Sequence, residues 1–196
     1  IPTNTATPNN RNFHNLSCAL INARSLKNKL IEFQAAVNAE NLDIIAVTET
    51  WLDESVYDKE ILSSGYDIHR RDREGRRGGG ILWATKNYMT SFRRYDLESD
   101  CELIWVEITT NIKLLFGVFY RPPNTDIQYL RSLRSSLDRV NNTKAEKIFL
   151  VGNFNLPNFN WANQLPCSFE QIYIETFEML NHAFLTQVNT EPTRND

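Results

Sequence analysis

Two asparagines that follow a short apolar run in the last third of the chain are well placed to do chemistry. Residues 148–151 form an apolar run that predicts a buried strand, and Gly152 ends it. Asn153 and Asn155 come directly after it. Substrate sites of α/β sheets gather at the carboxyl ends of strands. The sequence therefore predicts that these two carboxamides face a ligand.

Further polar residues stand in equivalent places along the chain. Asn22 follows the run 16–21, Glu49 follows 44–47 and Tyr120 follows 114–119. One carboxylate with carboxamides and water suits Mg²⁺, which keeps part of its water shell. Such an ion on a phosphate oxygen stabilises the charge that develops during hydrolysis, and a tyrosine hydroxyl can donate to another phosphate oxygen. If the runs share one sandwich with the same orientation, these side chains form a single phosphate-sized site.

Each of these residues also has an ordinary structural interpretation. An asparagine after a strand is commonly a turn residue. Glu49 could be a surface acid, and Tyr120 could be an aromatic residue at the rigid turn that Pro122 and Pro123 make. Only the joint order and spacing of the set favours a functional site.

Size and composition predict one domain without a membrane span. The chain has 196 residues, of which 41% are hydrophobic, and a formal net charge of −3. No apolar run approaches the roughly 18 residues that cross a bilayer. Any attraction to nucleic acid must therefore come from a local basic patch. The three cysteines are widely spaced, which argues against a disulfide scaffold or a zinc site, and Cys18 and Cys101 are expected to be buried thiols.

The two ends of the chain carry separate expectations. Residues 1–15 are rich in Asn, Thr and Pro without periodicity, which predicts a disordered leader before a domain over 16–196. The leader lacks the apolar centre of a secretion signal. Asn15 and Asn141 begin glycosylation-type triplets, so secretion stays open as a minor alternative.

Hydrophobic periodicity and turn residues predict the elements that position the candidate site. Strands are expected at 16–21, 44–47, 66–70, 80–85, 103–108, 114–119 and 148–151, with 103–119 forming a hairpin. A helix over 26–39 is expected to be capped by Ser25. Capping patterns at Thr125 and Ser168 predict two more helices, the last lined by residues that include Phe169.

The ordered set of motifs resembles the endonuclease/exonuclease/phosphatase superfamily, and most closely the abasic-site-endonuclease-like endonuclease domain of non-LTR retrotransposons. The resemblance covers residues 16–196. It rests on the strings Ile-Asn-Ala-Arg-Ser-Leu (21–26), Thr-Glu-Thr-Trp-Leu (48–52), Arg-Arg-Gly-Gly-Gly (76–80), Tyr-Arg-Pro-Pro (120–123), Gly-Asn-Phe-Asn-Leu-Pro (152–157) and Thr-Glu-Pro-Thr-Arg (190–194). It implies a deoxyribonuclease-I-like two-sheet α/β sandwich flanked by helices, acting on DNA with Mg²⁺, and a nuclear location.

The resemblance also implies residue roles. Glu49 and Asn22 would hold the metal, Tyr120 would contact the scissile phosphate, and Asn155 would stabilise the transition-state oxyanion. Position 153 is where the family has the aspartate that orients or deprotonates the attacking water. The loop over 70–80 would lie along a DNA backbone, although a solvated hairpin tip is an equal alternative. The expected DNA-binding residues are Arg24, Arg71, Arg73, Arg76, Arg77 and Arg121.

Two departures from the family pattern predict damaged chemistry. Asn153 keeps the shape of aspartate but removes its charge and its proton-accepting oxygen. The family's terminal Ser-Asp-His motif, which supplies the catalytic histidine, has no counterpart, because His14, His69 and His182 stand in no matching motif. The domain is therefore expected to be incomplete at its C-terminus. Such a domain would leave a sheet edge uncovered, open to a protein partner or to self-association.

Three hypotheses remain at this point. The chain could be an active Mg²⁺-dependent DNA endonuclease, a catalytically impaired descendant that serves as a binding or structural module, or a phosphatase of the same superfamily. The amide at Asn153 favours impairment, and the retrotransposon-like strings disfavour the phosphatase.

Overall fold

The computed structural model describes residues 16–189 and shows two four-stranded β-sheets packed face to face, with helices on both outer faces. This architecture confirms the predicted α/β sandwich. The leader predicted for residues 1–15 and the motif at 190–194 lie outside the described residues.

The first sheet has the strand order β1-β2-β4-β3. Its strands are β1 (Cys18–Asn22), β2 (Ile44–Thr48), β3 (Tyr66–Arg71) and β4 (Ile81–Lys86). β1 is parallel to β2, and the other pairs are antiparallel. Helix α1 (Leu30–Glu40) connects β1 to β2, and the short α2 (Asp58–Ile61) precedes β3. Both helices cover the outer face of this sheet, where Phe33, Val37 and Ile61 are buried.

The second sheet has the order β5-β6-β7-β8. Its strands are β5 (Ser91–Arg93), β6 (Glu102–Thr109), β7 (Lys113–Tyr120) and β8 (Lys147–Asn153). β6 and β7 form the predicted hairpin, and α3 (Ile127–Asn141) is the crossover that makes β8 parallel to β7. The two-residue strands β9 (Phe159–Asn160) and β10 (Leu165–Pro166) and helix α4 (Gln171–His182) follow. α3 and α4 cover the outer face through residues such as Leu133 and Leu180.

A third apolar cluster fills the space between the sheets. Trp83 of the first sheet meets Phe116 of the second with ring centroids 5.1 Å apart. Ile104 and Val118 are fully buried beside them. Since alternate residues of each strand enter this layer, the layer fixes which residues face outward.

The start of α1 differs from the prediction. The helix begins at Leu30, and Ser25 does not cap it. Instead, the backbone N–H of Ser25 donates to the Glu49 carbonyl (2.9 Å), and that of Leu26 donates to the Thr50 carbonyl (2.8 Å). These hydrogen bonds continue the pairing of β1 with β2 beyond the end of the strands, so residues 25 and 26 lie outside the helix. As a result, residues 23–26 lie directly beside Glu49.

The other two long helices begin close to the predicted positions. Asp126, one residue after Thr125, caps α3 by accepting the Gln128 N–H at 3.0 Å. Ser168 accepts the Glu170 N–H at 3.2 Å, but the N-cap of α4 is Glu170, so Ser168 precedes the helix and the prediction that it caps the helix is wrong. Phe169 therefore precedes the helix and is almost fully exposed, so the prediction that it lines α4 is wrong.

The cysteines are free thiols in different environments. Cys101 is buried as predicted, but Cys18 is exposed because β1 lies at the edge of its sheet. The helices over residues 16–189 are all too short or too polar to cross a membrane.

Candidate active site

The end of the first sheet brings Asn22 and Glu49 together. Asn22 is the last residue of β1 and pairs in register with Thr48, so Glu49 comes immediately after its neighbour. The Asn22 Nδ2 donates to the Glu49 Oε1 at 2.8 Å. The carboxamide thereby orients the carboxylate.

The end of the second sheet brings Tyr120, Asn153 and Asn155 together. Tyr120 ends β7 and pairs in register with Asn153, which ends β8. The Asn153 carbonyl accepts the Arg121 N–H at 2.9 Å, and the Asn153 Oδ1 accepts the Asn155 N–H at 3.0 Å. The Asn155 Nδ2 in turn donates to the Arg121 carbonyl at 2.6 Å. A carboxamide carries two N–H donors, so Asn155 retains a second one for a ligand.

Gly152 makes this arrangement possible. Its φ is +152°, and a Cβ at this position would lie 1.8 Å from the Phe119 carbonyl oxygen. Only glycine lets β8 approach β7 this closely at the point where Asn153 leaves the sheet.

The two strand-end groups face each other at the same end of the sandwich. Burial raises the pKa of Tyr120, and the negative charge of Glu49 raises it further, while the Arg73 guanidinium opposes the rise. Hydrogen bonds also link the two sheets at this end. Gly80 accepts the Thr50 N–H at 3.2 Å, and its own N–H donates at 2.5 Å to Glu102, the register partner of Tyr120. Strands β1 and β8, which carry Asn22 and Asn153, are also in contact across the sheet interface. The structure therefore brings together the residues that the sequence singles out.

Unusual backbone conformations concentrate in the loops of this region. Glu49, Trp51 and Asn155 have φ values of 55°, 53° and 46°. For residues with a Cβ this left-handed region is sparsely populated and costs of order 1–3 kcal/mol each. Backbone bonds from Thr50 N to the Gly80 carbonyl (3.2 Å) and from Trp51 N to the Gly79 carbonyl (2.9 Å) hold the first loop in place. Strain of this kind is typical of functional sites.

Three of the six predicted DNA-binding arginines are exposed. Arg24 lies beside Asn22, and Arg76 and Arg77 lie on the loop between β3 and β4. The Arg77 guanidinium stacks over the Trp51 ring, 5.2 Å from its centroid. A cavity of about 360 Å³ adjoins the loop. Its lining includes Lys27, Arg73, Arg76 and Arg77, and also Asp53, which pairs with Lys27 at 2.6 Å. This rim is positive although the whole chain is slightly acidic.

Acceptors of the protein itself hold the guanidinium groups of the other three arginines. Arg121 is only 4% exposed, and its guanidinium donates to the carbonyls of Asn155 (2.9 Å) and Thr125 (2.5 Å). Arg71 donates to the Ser99 carbonyl at 2.8 Å, and Arg73 forms a largely buried ion pair with Glu102. These geometries do not suit the direct DNA contacts that the sequence predicts for the three, because each guanidinium is occupied by the fold.

The residues present offer a minimal ligand set for a metal ion. Over residues 16–189, no group of three or more His, Cys, Asp or Glu side chains is arranged to hold one. The candidate set is the Glu49 carboxylate, whose Oε1 accepts from the Asn22 Nδ2, together with the Oδ1 of the same carboxamide. Hard oxygen ligands of this type, completed by water, fit Mg²⁺. They do not fit zinc, which prefers nitrogen and sulfur ligands.

Glu102 belongs to the site although the sequence did not single it out. It is a buried acid in the apolar strand β6, in register with Tyr120 across the β6–β7 pair. A charge within such a strand requires a partner, and that requirement was the available signal. Its partner, Arg73, was instead interpreted as part of a surface loop.

Comparison with known proteins agrees with this architecture. Residues 13–195 match the profile of the family described as Endonuclease/Exonuclease/phosphatase family. Comparison with curated proteins finds no significant match.

Several solved structures share the fold at low sequence identity. The endonuclease domain of TRAS1, a telomere-specific non-LTR retrotransposon, is 15% identical with a TM-score of 0.61 over 85% of this chain and 70% of that one. An AP endonuclease from Archaeoglobus fulgidus is 16% identical with a TM-score of 0.61 over 86% and 70%. The 3′ phosphatase NExo from Neisseria, bound to a product DNA hairpin, is 15% identical with a TM-score of 0.62 over 86% and 71%.

Proposed function

Because this chain belongs to the endonuclease/exonuclease/phosphatase family, we propose that it is a DNA-binding domain of the retrotransposon-endonuclease type whose hydrolytic chemistry is impaired. One observation carries the proposal. Asn153 ends β8 directly beside Tyr120, where a proton acceptor would face the attacking water, but its side chain is an amide.

The proposed roles of the surrounding residues follow from their positions. Glu49 and Asn22 would hold Mg²⁺, which when bound supplies positive charge to a phosphate oxygen. The Tyr120 hydroxyl would donate to another oxygen of the same phosphate, and the second N–H of Asn155 would donate to the oxyanion. A tyrosine hydroxyl, whose ordinary pKa is about 10, is protonated at neutral pH and can donate. Burial raises the pKa of Tyr120 and so acts in the same direction.

The amide at Asn153 limits catalysis in a specific way. Its Oδ1 already accepts the Asn155 N–H at 3.0 Å, and a carboxamide cannot take a proton from water at neutral pH. A positioned general base is typically worth about 10² to 10⁴ in rate. The substitution retains the loop geometry, since the accepted hydrogen bond is one that a carboxylate would also make.

DNA is the proposed ligand. Arg24, Arg76 and Arg77 form an exposed basic rim beside the strand-end residues, and phosphate contacts of this kind dominate affinity for DNA. The Neisseria structure, which has the same fold, holds a DNA hairpin. The TRAS1 domain supports the link to a retrotransposon.

Plasmid nicking tests the catalytic part of the proposal. The unaltered chain and the Asn153→Asp variant are incubated with supercoiled plasmid and Mg²⁺, and the relaxed form is quantified over time. We expect the variant to nick at least about 10²-fold faster than the unaltered chain. Adding Glu49→Ala to the variant should abolish the gain. Robust nicking by the unaltered chain, lost on Glu49→Ala alone, would contradict the proposed impairment.

A non-catalytic binding module is the second candidate function. It is favoured by the combination of an intact basic rim with an absent general base. Fluorescence anisotropy with a labelled duplex measures DNA binding, and together with the nicking assay it distinguishes the impaired nuclease from the binding module. Binding that Arg76→Gln weakens, together with no nicking by the Asn153→Asp variant, would select the binding module.

We also propose that one side of the sandwich contacts another polypeptide. Over residues 16–189, β1 pairs only with β2 and β8 only with β7, so both strands have an unpaired edge on the same side of the sandwich. Large apolar side chains are exposed along these strands. The proposed partner is an additional strand or a second copy of the chain.

A further inference from the structure

The loop between β3 and β4 contains a buried ion pair on its inner side. The Arg73 Nε donates to the Glu102 Oε1 at 2.6 Å, and the two side chains are only 12% and 11% exposed. The second oxygen of the carboxylate accepts the Gly80 backbone N–H at 2.5 Å. Glu102 therefore fixes both the side chain of Arg73 and the end of the loop.

Gly79 leaves the space that the Arg73 side chain occupies on its way to Glu102. Gly79 has a φ of +71°, and a Cβ there would lie 2.1 Å from the Arg73 Cζ. In an exposed loop an arginine would simply move aside, but the bonds to Glu102 hold this guanidinium in place. The Gly-rich string thus has a packing reason that is independent of any contact with DNA.

The same pair reaches the candidate catalytic tyrosine. The Arg73 guanidinium stacks against the Tyr120 ring with its Cζ 5.5 Å from the centroid. Glu102 is the register partner of Tyr120, and its backbone N–H donates to the Tyr129 hydroxyl at 2.7 Å. That hydroxyl donates to the Tyr120 carbonyl at 3.2 Å. Tyr120 is therefore held from its ring by Arg73 and from its backbone by Tyr129.

We propose that Arg73 and Glu102 are positioning residues, which fix Tyr120 and the basic loop relative to each other, and that Arg73 does not itself bind DNA. The inference rests on the proposed function, since it assigns the pair to the phosphate site. A buried ion pair contributes little net stability compared with well-packed apolar residues of similar volume. The pair places a planar guanidinium between a carboxylate and an aromatic ring. Apolar residues would not reproduce this geometry.

A spectroscopic experiment tests the inference without requiring activity. The protein is labelled with 3-fluorotyrosine, and the Tyr120 resonance is assigned in the ¹⁹F NMR spectrum by its loss in Tyr120→Phe. We expect Arg73→Gln to shift and broaden the Tyr120 resonance, because the ring loses its stacked cation. Arg73→Lys keeps the positive charge but not the planar guanidinium, so it should shift the Tyr120 resonance less than Arg73→Gln does. Arg76→Gln, an exposed arginine of the same loop, should leave the resonance unchanged.

The salt dependence of DNA binding supplies the second readout. Arg76→Gln should lower the slope of log affinity against log salt by about 1, as expected for one lost phosphate contact. Arg73→Gln should leave that slope unchanged. If Arg73→Gln does not fold, Glu102→Gln takes its place in both measurements. It keeps one of the two acceptor oxygens and removes the charge, and it should also shift the Tyr120 resonance.

The outcomes separate this inference from the proposed function. An unchanged Tyr120 resonance in Arg73→Gln, or a salt slope lowered as much as in Arg76→Gln, would overturn the positioning role. If the protein binds no DNA, the proposed function fails, and the ¹⁹F spectra still decide whether Arg73 positions Tyr120.

Discussion

At the scale of single residues, Asn155 has a structural role besides the chemical one proposed for it. Its side chain donates to the Arg121 carbonyl at 2.6 Å, and Arg121 in turn donates to the Asn155 carbonyl at 2.9 Å. These reciprocal bonds close the loop after β8 onto the turn after β7. The left-handed φ of 46° is one that asparagine tolerates better than most residues.

Replacing Asn155 should therefore affect stability as well as catalysis. We expect Asn155→Ala to destabilise the protein by about 1–3 kcal/mol, because a hydrogen bond is lost and alanine disfavours the left-handed region. Urea denaturation measures the change. Asn158→Ala, an exposed position of the same loop, is the matched control and should change stability by less than about 0.5 kcal/mol. Equal losses for both variants would show that the Arg121 contact is unimportant.

The residues of the site were predictable to different degrees. Asn22, Glu49, Tyr120, Asn153 and Asn155 were identifiable because each stands at or just after the end of an apolar run. β2 and β7 are buried as predicted, but the prediction that 16–21 and 148–151 are buried strands is wrong, because β1 and β8 are edge strands with exposed side chains. The inward direction of Arg73 was not, since it depends on Glu102 across a sequence separation of 29 residues. The local sequence shows that an arginine is present in the loop, but the direction of its side chain depends on tertiary contacts.

At the scale of elements, predictions succeeded where one local signal dominates. Buried strands such as β2 and β7 are short apolar runs, and each observed end lies within one residue of the predicted end. The predicted start of α1 was wrong because the backbone N–H groups of Ser25 and Leu26 donate to carbonyls of the neighbouring loop. Elements as short as β9 and β10 carry too few residues for a period to be visible.

Asp43 connects the edge strand β1 to the rest of its sheet. Its Oδ2 accepts the Ser17 N–H at 2.9 Å, and its Oδ1 accepts the Tyr88 hydroxyl at 2.7 Å. Lys86, at the end of β4, forms an ion pair with the same carboxylate at 3.4 Å. Burial raises the pKa of Asp43, but the bonds from Ser17, Tyr88 and Lys86 outweigh burial and leave this pKa below its usual value.

The lowered pKa of Asp43 predicts a specific loss of stability in acid. Since the folded pKa lies below the unfolded value of about 3.9, the carboxylate stabilises the fold above that pH, and the stabilisation is lost as pH falls through the folded pKa. We expect Asp43→Asn to lower the free energy of unfolding by about 1–3 kcal/mol at pH 7. The difference from the unaltered chain should shrink below about pH 4.

Denaturant titrations at several pH values check this expectation. Asp67→Asn, which neutralises an exposed carboxylate of β3, is the control and should change the free energy of unfolding at pH 7 by less than about 0.5 kcal/mol. A deficit in Asp43→Asn that stays constant down to pH 2.5 would mean that packing, not the charge, is responsible.

At the scale of the whole molecule, the two sides of the sandwich differ in how well the core between the sheets is covered. On the side of β3 and β5, polar bonds cross between the sheets, such as that from Arg93 to the Arg70 carbonyl at 2.7 Å. On the side of β1 and β8, Leu20 is 44% exposed and Phe149 is 42% exposed. Both side chains are register partners of residues in the core between the sheets, Ala46 and Phe116. The inter-sheet core therefore reaches solvent along this side.

An apolar core layer that opens beside two unpaired strand edges is a surface for strand addition or self-association. If this side is the proposed polypeptide contact, the protein should associate with itself at micromolar or higher concentration when no partner is supplied. Leu20→Lys should reduce that association, because a charged residue on an edge strand opposes pairing. Leu165→Lys is the matched control, since Leu165 is 49% exposed but lies on the hairpin of β9 and β10. Sedimentation velocity over a concentration series distinguishes the variants. A monomer at every concentration, unaffected by either substitution, would show that the open side needs no cover and would remove the basis for a polypeptide partner there.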